Sequence, residues 1–363
     1  MRVDRLACML ICSAVSLHVA HAADTQLGVA HIGGGYAFTD RDALNEGAAA
    51  IESLGARCIK VGLALDSEKP SSALYPGHSR WPVVASLVDL AATPYFRELF
   101  ERDFETFILV TFRPGRPAGY WRDGITEADE REEEKQLADL TRYLLTTYVQ
   151  SHKTFVIQNW EGDWAIRGAF NPATSPTENA IASMIRWLAA RQRGVERGRR
   201  EAGVGRSTVL HACEVNLVTP VVRNATPVVT THVLPHVDID LVSYSAWDTK
   251  DDLGAFEEAL GVITSKRRAR QSQGCSVYVG EFGYPETGST PDVVLQRTAE
   301  RLDVARRFGC PYAVYWQLYC NEPIATGARN NADFRGFWLI RPDGTRSRVC
   351  ELFDSERTLR GDD

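Results

Sequence analysis

Two glutamates stand where short apolar segments end. Cys275–Tyr284 reads CSVYVGEFGY, with Val277-Tyr278-Val279 running into Gly280 and Glu281 before Phe282-Gly283-Tyr284-Pro285. Such a run predicts a buried strand that delivers one carboxylate to its C-terminal tip. A charge held there must be paired or hydrogen-bonded, because an isolated buried charge costs several kcal/mol or shifts its pKa. Catalysis is one reason to place it there, and an ion pair with a Lys or Arg is the other. Lys153–Trp164, KTFVIQNWEGDW, has the same construction: Thr154–Ile157 leads into Gln158-Asn159-Trp160-Glu161. Carboxylates delivered from two separate strand ends can both flank one bond held between them.

The elements that would carry them alternate along the chain. Strand patterns fall at Gln26–Ile32, Arg57–Ala64, Thr106–Phe112, Thr154–Asn159, Ser207–Glu214, Ile239–Tyr244, Ser276–Glu281 and Tyr312–Leu318, with helical patterns or helix signals between most of them. Eight such units predict a single-domain α/β chain folded as a (β/α)₈ TIM barrel over residues 23–363. Ser175-Pro176-Thr177-Glu178 predicts a helix start with Ser175 as cap, and Thr290-Pro291 predicts another. Val221–His236, with Pro227 and Pro235, predicts a short or broken connection.

In a barrel of this kind the active site lies at the C-terminal strand ends. Those ends present Lys60, then Arg113, then Asn159 and Glu161, then His211, Glu214 and Asn216. The remaining three present Tyr244, Trp247 and Asp248, then Glu281, then Trp316 and Gln317. Tyr120-Trp121, Trp160, Trp164, Trp247, Tyr284 and Trp316 crowd the same rim. Flat rings with polar edges suit the faces of sugars. Substrate-binding candidates are therefore Lys60, Asn159, Trp160, His211, Asn216, Tyr244, Trp247 and Trp316.

Gln158-Asn159-Trp160-Glu161 and Val279-Gly280-Glu281-Phe282-Gly283-Tyr284 together resemble the signature of clan A glycoside hydrolases, (β/α)₈ enzymes that include many cellulases and β-mannanases. The resemblance implies Glu161 as acid/base and Glu281 as nucleophile of a retaining reaction on a β-linked oligo- or polysaccharide. It extends to Tyr244 and Trp316, near the nucleophile and the attacked sugar. Two features depart from the clan. Trp160 separates Asn159 from Glu161, which makes Asp163 a rival acid, and the clan's strand-two arginine has no clear counterpart, Lys60 being able to replace its charge but not its planar fork. Asn321-Glu322-Pro323 matches the Asn-Glu pair directly but follows the eighth strand, where the clan's acid/base does not sit. The reading from another class is an inert barrel that binds glycans through its aromatic rim.

Composition narrows the partners. A net charge of −6 at pH 7 argues against nucleic acid or an anionic membrane. Met1–Arg5 and the apolar Leu6–Ala20, ending in Ala20-His21-Ala22, predict a secretory leader over residues 1–22 and an exported, secreted or periplasmic chain. No other segment is long and apolar enough to insert in a membrane. Beyond the leader stand Cys58, Cys213, Cys275, Cys310, Cys320 and Cys350, too widely spaced for a zinc cluster. Cys275 and Cys310 precede neighbouring strands and are predicted to meet at the barrel's bottom, bonded or not. His232 and His236 flank Pro235, which spoils a helical metal face, so neither metal nor cofactor is expected. The basic run Arg191–Arg206 reads as a solvated helix end, and oligomeric state is left open.

Overall fold

The computed structural model describes residues 25–218, 226–268 and 275–360, so the expected leader lies outside the described residues. Its strands are β1 (Gln26–His31), β2 (Cys58–Ala64), β3 (Thr106–Phe112), β4 (Thr154–Gln158), β5 (Thr208–Val215), β6 (Leu241–Ser245), β7 (Val277–Phe282) and β8 (Tyr312–Tyr315). They form one closed barrel in chain order, every pair parallel and β1 paired with β8. Parallel strands are covered on both faces, which is why they read as apolar runs. Every residue of β3, TFILVTF, is buried. Each fully buried Leu, Ile, Val or Phe contributes about 1.5–3 kcal/mol. The eighth strand stops at Tyr315, short of the predicted Leu318, whose N–H crosses instead to Ala30 O at 2.9 Å.

Capping sets most helix starts. Thr126, Thr177 and Thr290 each accept a hydrogen bond from the backbone N–H three residues on. The helix Glu178–Ala202 is therefore capped by Thr177, two residues beyond the predicted cap at Ser175, while Thr290 caps the helix Pro291–Phe308 as its sequence indicates. The fifth connection is broken as expected, into Val229–His232 and a turn of 3₁₀ helix at Leu234–His236.

The basic run is a solvated end only in part: Arg193, Arg200 and Arg206 are exposed, but Arg191 is not. Gly194 and Gly198 let Glu178–Ala202 lie against Glu127–Thr147 so closely that a Cβ on either glycine would meet a backbone oxygen at 2.6 Å. Arg191 is thereby buried, paired with Glu133 and lying 4.7 Å over the Trp187 ring. Arg193 and Arg197 pair with Glu134, and Arg199 with Asp240.

The chain after β8 returns over the C-terminal mouth. Glu286, beyond β7, accepts from Trp338 Nε1 at 2.7 Å, Arg341 Nε at 2.8 Å and Ser347 Oγ at 2.7 Å. The Asp343-Gly344 turn is closed by one antiparallel bridge, Ile340 with Arg346, with Gly344 at φ +80°. At the barrel's other end Cys275 and Cys310 meet as free thiols in a side-chain hydrogen bond.

Candidate active site

Glu281 owes its position to one extra residue. Along β7 the ladder to β6 steps from Tyr244↔Val279 to Ser245↔Glu281, skipping Gly280, and the ladder to β8 shifts between Val279 and Phe282. This is a bulge, and a bulge re-aims the side chains that follow it. Only glycine fits there, because a Cβ on Gly280 would lie 1.8 Å from Ser243 Oγ. Tyr278 faces the lumen, where its hydroxyl donates to Gln158; after the bulge Glu281 faces the lumen as well.

Three donors hold the Glu281 carboxylate. Lys60 Nζ, fully buried, approaches Oε1 at 2.7 Å; Trp160 Nε1 donates to the same oxygen and Trp247 Nε1 to Oε2, each at 3.0 Å. Burial alone would lower the Lys60 pKa, but Glu281 and Glu214 outweigh it and the ammonium is held above its ordinary range. Glu281 is thus arranged as an oriented carboxylate with a counter-ion.

Glu161 sits in the opposite environment. It caps the short helix Gly162–Arg167 in the left-handed conformation, φ 57° and ψ 45°, which is costly for any residue with a Cβ. A third carboxylate stabilises that turn. Glu214, fully buried on β5, accepts from the Glu161 backbone N–H at 3.1 Å, and the Glu214 backbone N–H donates to Asn159 Oδ1 at 3.1 Å. A Cβ on Gly162 would lie 2.1 Å from Glu214 O, so the turn presses directly on β5. Asn216 Nδ2 then reaches both carboxylates. Burial, followed by the charges of Glu281 and Glu214, raises the Glu161 pKa well above the carboxylate range. Burial also pushes Glu214 up, to about 7, against the pull of Lys60. Glu214's contacts from Gln158 Nε2, Ser245 Oγ, Asn216 Nδ2 and the Glu161 N–H are all donors, a surrounding built for its ionised form. Burial and the neighbouring negative charges thus disfavour the ionised form of Glu161.

Glu161 and Glu281 line one cleft of about 300 Å³ with Trp247, Lys250, Trp316 and Phe337. Trp316 is 6% exposed, and its ring lies 6.3 Å from that of Trp160. Glu322, set aside by the sequence argument, reaches this cleft: it accepts from Trp316 Nε1 at 3.2 Å and pairs with Arg335.

Other candidates are elsewhere. Side chains alternate faces along a strand, and on β5 Glu214 points inward, which turns His211 outward, where Nδ1 meets Gln192 Oε1 at 3.1 Å. On β6 Ser245 reaches inward to Glu214, so Tyr244 faces out; its ring stacks on Phe256 and its hydroxyl meets Asp248 and Thr249. Trp247, not Tyr244, touches Glu281. Asp163 is engaged in holding the fold, accepting from the N–H groups of Asn216, Leu217 and Val229 and pairing with Arg167. Arg113 pairs with Asp129 and Glu133, and Trp121 is packed on Trp187. The partner that sequence reasoning passed over is Glu214. It shares a strand face with Asn216, and that parity was its signal. Among the described residues no group of three or more His, Cys, Asp or Glu side chains is arranged to hold a metal.

No protein-family model matches the chain, and no curated protein sequence does. Solved structures match its fold over nearly the whole length. GH5_18 from Streptomyces cattleya, a variant solved in complex with Manb1-4GlcNAc, superposes with a TM-score of 0.58 at 12% identity, over 93% of this chain and 81% of that one. GH5_18 from Bifidobacterium longum subsp. longum gives 0.55 at 14%, over 92% and 79%. A family 39 glycoside hydrolase from Bacteroides cellulosilyticus gives 0.53 at 12%, over 92% and 63%. The (β/α)₈ barrel is the fold this chain shares with these hydrolases.

Proposed function

We propose that the protein is a retaining glycoside hydrolase acting on a β-linked oligo- or polysaccharide. The observation that carries this reading is the pair of carboxyl groups at the ends of β4 and β7 lining one aromatic cleft, Glu281 held by Lys60, Trp160 and Trp247 and Glu161 by Asn216. The barrel shared with glycoside hydrolases supports it. Glu281 would attack the anomeric carbon while Glu161 gives its proton to the departing oxygen; Glu161 would then take a proton from the water that releases the sugar. Trp160 and Trp247 would hold the attacking carboxylate, and Trp316 would floor the sugar. The leader at residues 1–22 belongs to the same reading, and an exported product beginning after Ala22 would establish it.

Turnover of a panel of β-glycans tests the proposal, and the neighbour solved with Manb1-4GlcNAc makes that disaccharide the first member. Glu281→Ala should be inactive, and azide with an activated substrate should then yield a glycosyl azide of inverted configuration. With Glu161→Ala, azide should release product with configuration retained. Affinity for glycans without turnover, unchanged by Glu281→Gln, would favour the inert binder.

A further inference from the structure

Glu161 lines a second cavity, of about 250 Å³, that Glu281 does not reach. It lies over the ends of β2, β3 and β4, walled by Ala64, Leu74, Val110, Phe112 and Trp164. Trp160 stands between the two spaces: its ring lines this cavity while its Nε1 holds Glu281. At the mouth, Phe170 is 76% exposed and its ring lies 5.7 Å from that of Trp164. Phe170 thus extends the apolar wall formed by Trp164 out to the mouth.

Asp66, Lys69 and Arg122 of this cavity are engaged with the protein, and Glu68 is exposed to solvent. Asp66 Oδ1 accepts the backbone N–H groups of Glu68 and Lys69, at 2.8 and 2.7 Å. The Lys69 ammonium sits 4.8 Å over the Trp160 ring. Arg122 Nε donates to Ala165 O at 2.6 Å, and its guanidinium packs on Gly119 and Gly168. Among the buried polar atoms here, Asp66 Oδ2 is the acceptor left over. A sugar would bring several hydroxyls to these walls, and a buried hydroxyl without a partner is penalised.

We propose that this cavity receives the leaving group of the substrate, and that the leaving group is an alkyl or aryl aglycone. The inference rests on Glu161 being the acid, since the group bonded to the oxygen it protonates is the one on its side of the cleft. In the step concerned, the Glu281 carboxylate forms a bond to the anomeric carbon. The C–O bond to the aglycone breaks with its electron pair on oxygen, and the Glu161 proton passes to that oxygen, so an alcohol or phenol departs.

Methyl and n-octyl β-D-glucosides and β-D-mannosides, below micellar concentration, test this, because both leaving groups are simple alkanols and differ in apolar surface. The octyl compound of the preferred sugar should show a kcat/KM higher by at least about tenfold. Phe170→Ser and Trp164→Ala should each bring the octyl-to-methyl ratio toward one. Calorimetry of the same glycosides with Glu281→Gln protein reads binding without turnover. Equal kcat/KM for octyl and methyl, or a preference for Manb1-4GlcNAc over octyl mannoside, overturns the aglycone assignment and leaves the hydrolase reading standing. Tighter octyl binding with no turnover of any glycoside by the native protein overturns the hydrolase reading and, with it, the leaving-group role. No turnover and no octyl preference overturns both.

Discussion

One amide clasps two carboxylates: Asn216 Nδ2 donates to Glu161 Oε2 at 3.1 Å and to Glu214 Oε1 at 3.2 Å. Glu214 also holds the backbone N–H of Glu161, so the buried charge of one residue bears on the protonation of the other. Glu214→Gln removes a negative charge and keeps most of the shape. Ionised Glu161 is then less disfavoured, its pKa falls, and the proton is lost at lower pH. The basic limb of the kcat/KM profile should move down by about one pH unit. A drop in kcat with the limb unmoved would make Glu214 a packing residue only.

Lys60 is the cation between Glu281, at 2.7 Å, and Glu214, at 3.5 Å. Lys60→Met leaves both carboxylates without it, which should cost about 3–5 kcal/mol of stability in urea unfolding. Activity should fall further, because Glu281 would lose the cation that holds its carboxylate. Combining it with Glu281→Gln should recover much of the stability and none of the activity. The raised Lys60 pKa also has a direction: its contribution is complete below the ordinary value of 10.5 and lost as pH rises through the folded value.

Gly280→Ala drives a methyl group into Ser243 Oγ. Overpacking of this kind costs about 1–3 kcal/mol, and the adjacent Glu281 should be displaced, so kcat should fall by more than stability explains. Adding Ser243→Gly should restore part of both. Wild-type kcat in the single variant would show that the bulge does not require glycine.

Cys275 is half-buried, and its hydrogen bond with Cys310 brings its thiol down to about 6. Iodoacetamide at neutral pH should label it first, with a pH midpoint near that value, read by mass spectrometry. Cys310→Ala should move the midpoint up toward the ordinary thiol value of about 8.5. An ordinary midpoint in the native chain would separate the two thiols.

The barrel is legible because most strands are predominantly apolar runs between polar helices; β3 matches the expected Thr106–Phe112 to the residue. The site was readable where a carboxylate ends such a run, as at Glu281. Strand parity decides the positions that a list of strand ends leaves open. Asn216 and Glu214 share one face of β5 and His211 the other, while Ser243 and Ser245 turn Tyr244 outward. The bulge had a signal in Gly280, since glycine inside a strand often marks one. Glu322 shows the limit of spacing: its place depends on how residues 316–338 fold back over the mouth, which no period records.

Closure of the barrel pairs Gln26 with Tyr312 and Val29 with Tyr315, and the cleft wall at Phe337 comes later still. During synthesis the first strand therefore emerges long before its second neighbour exists. Until β8 and the segment through Phe337 are made, β1 has an open edge and Glu281 lacks one side of its cleft. Contacts between such distant positions are slow to form, and an unpaired edge invites association with other chains. A nascent chain stalled before residue 312 should hold most of its strands and bind chaperones through that edge. Catalytic competence would arrive late, with the closing strand and its overlying segment.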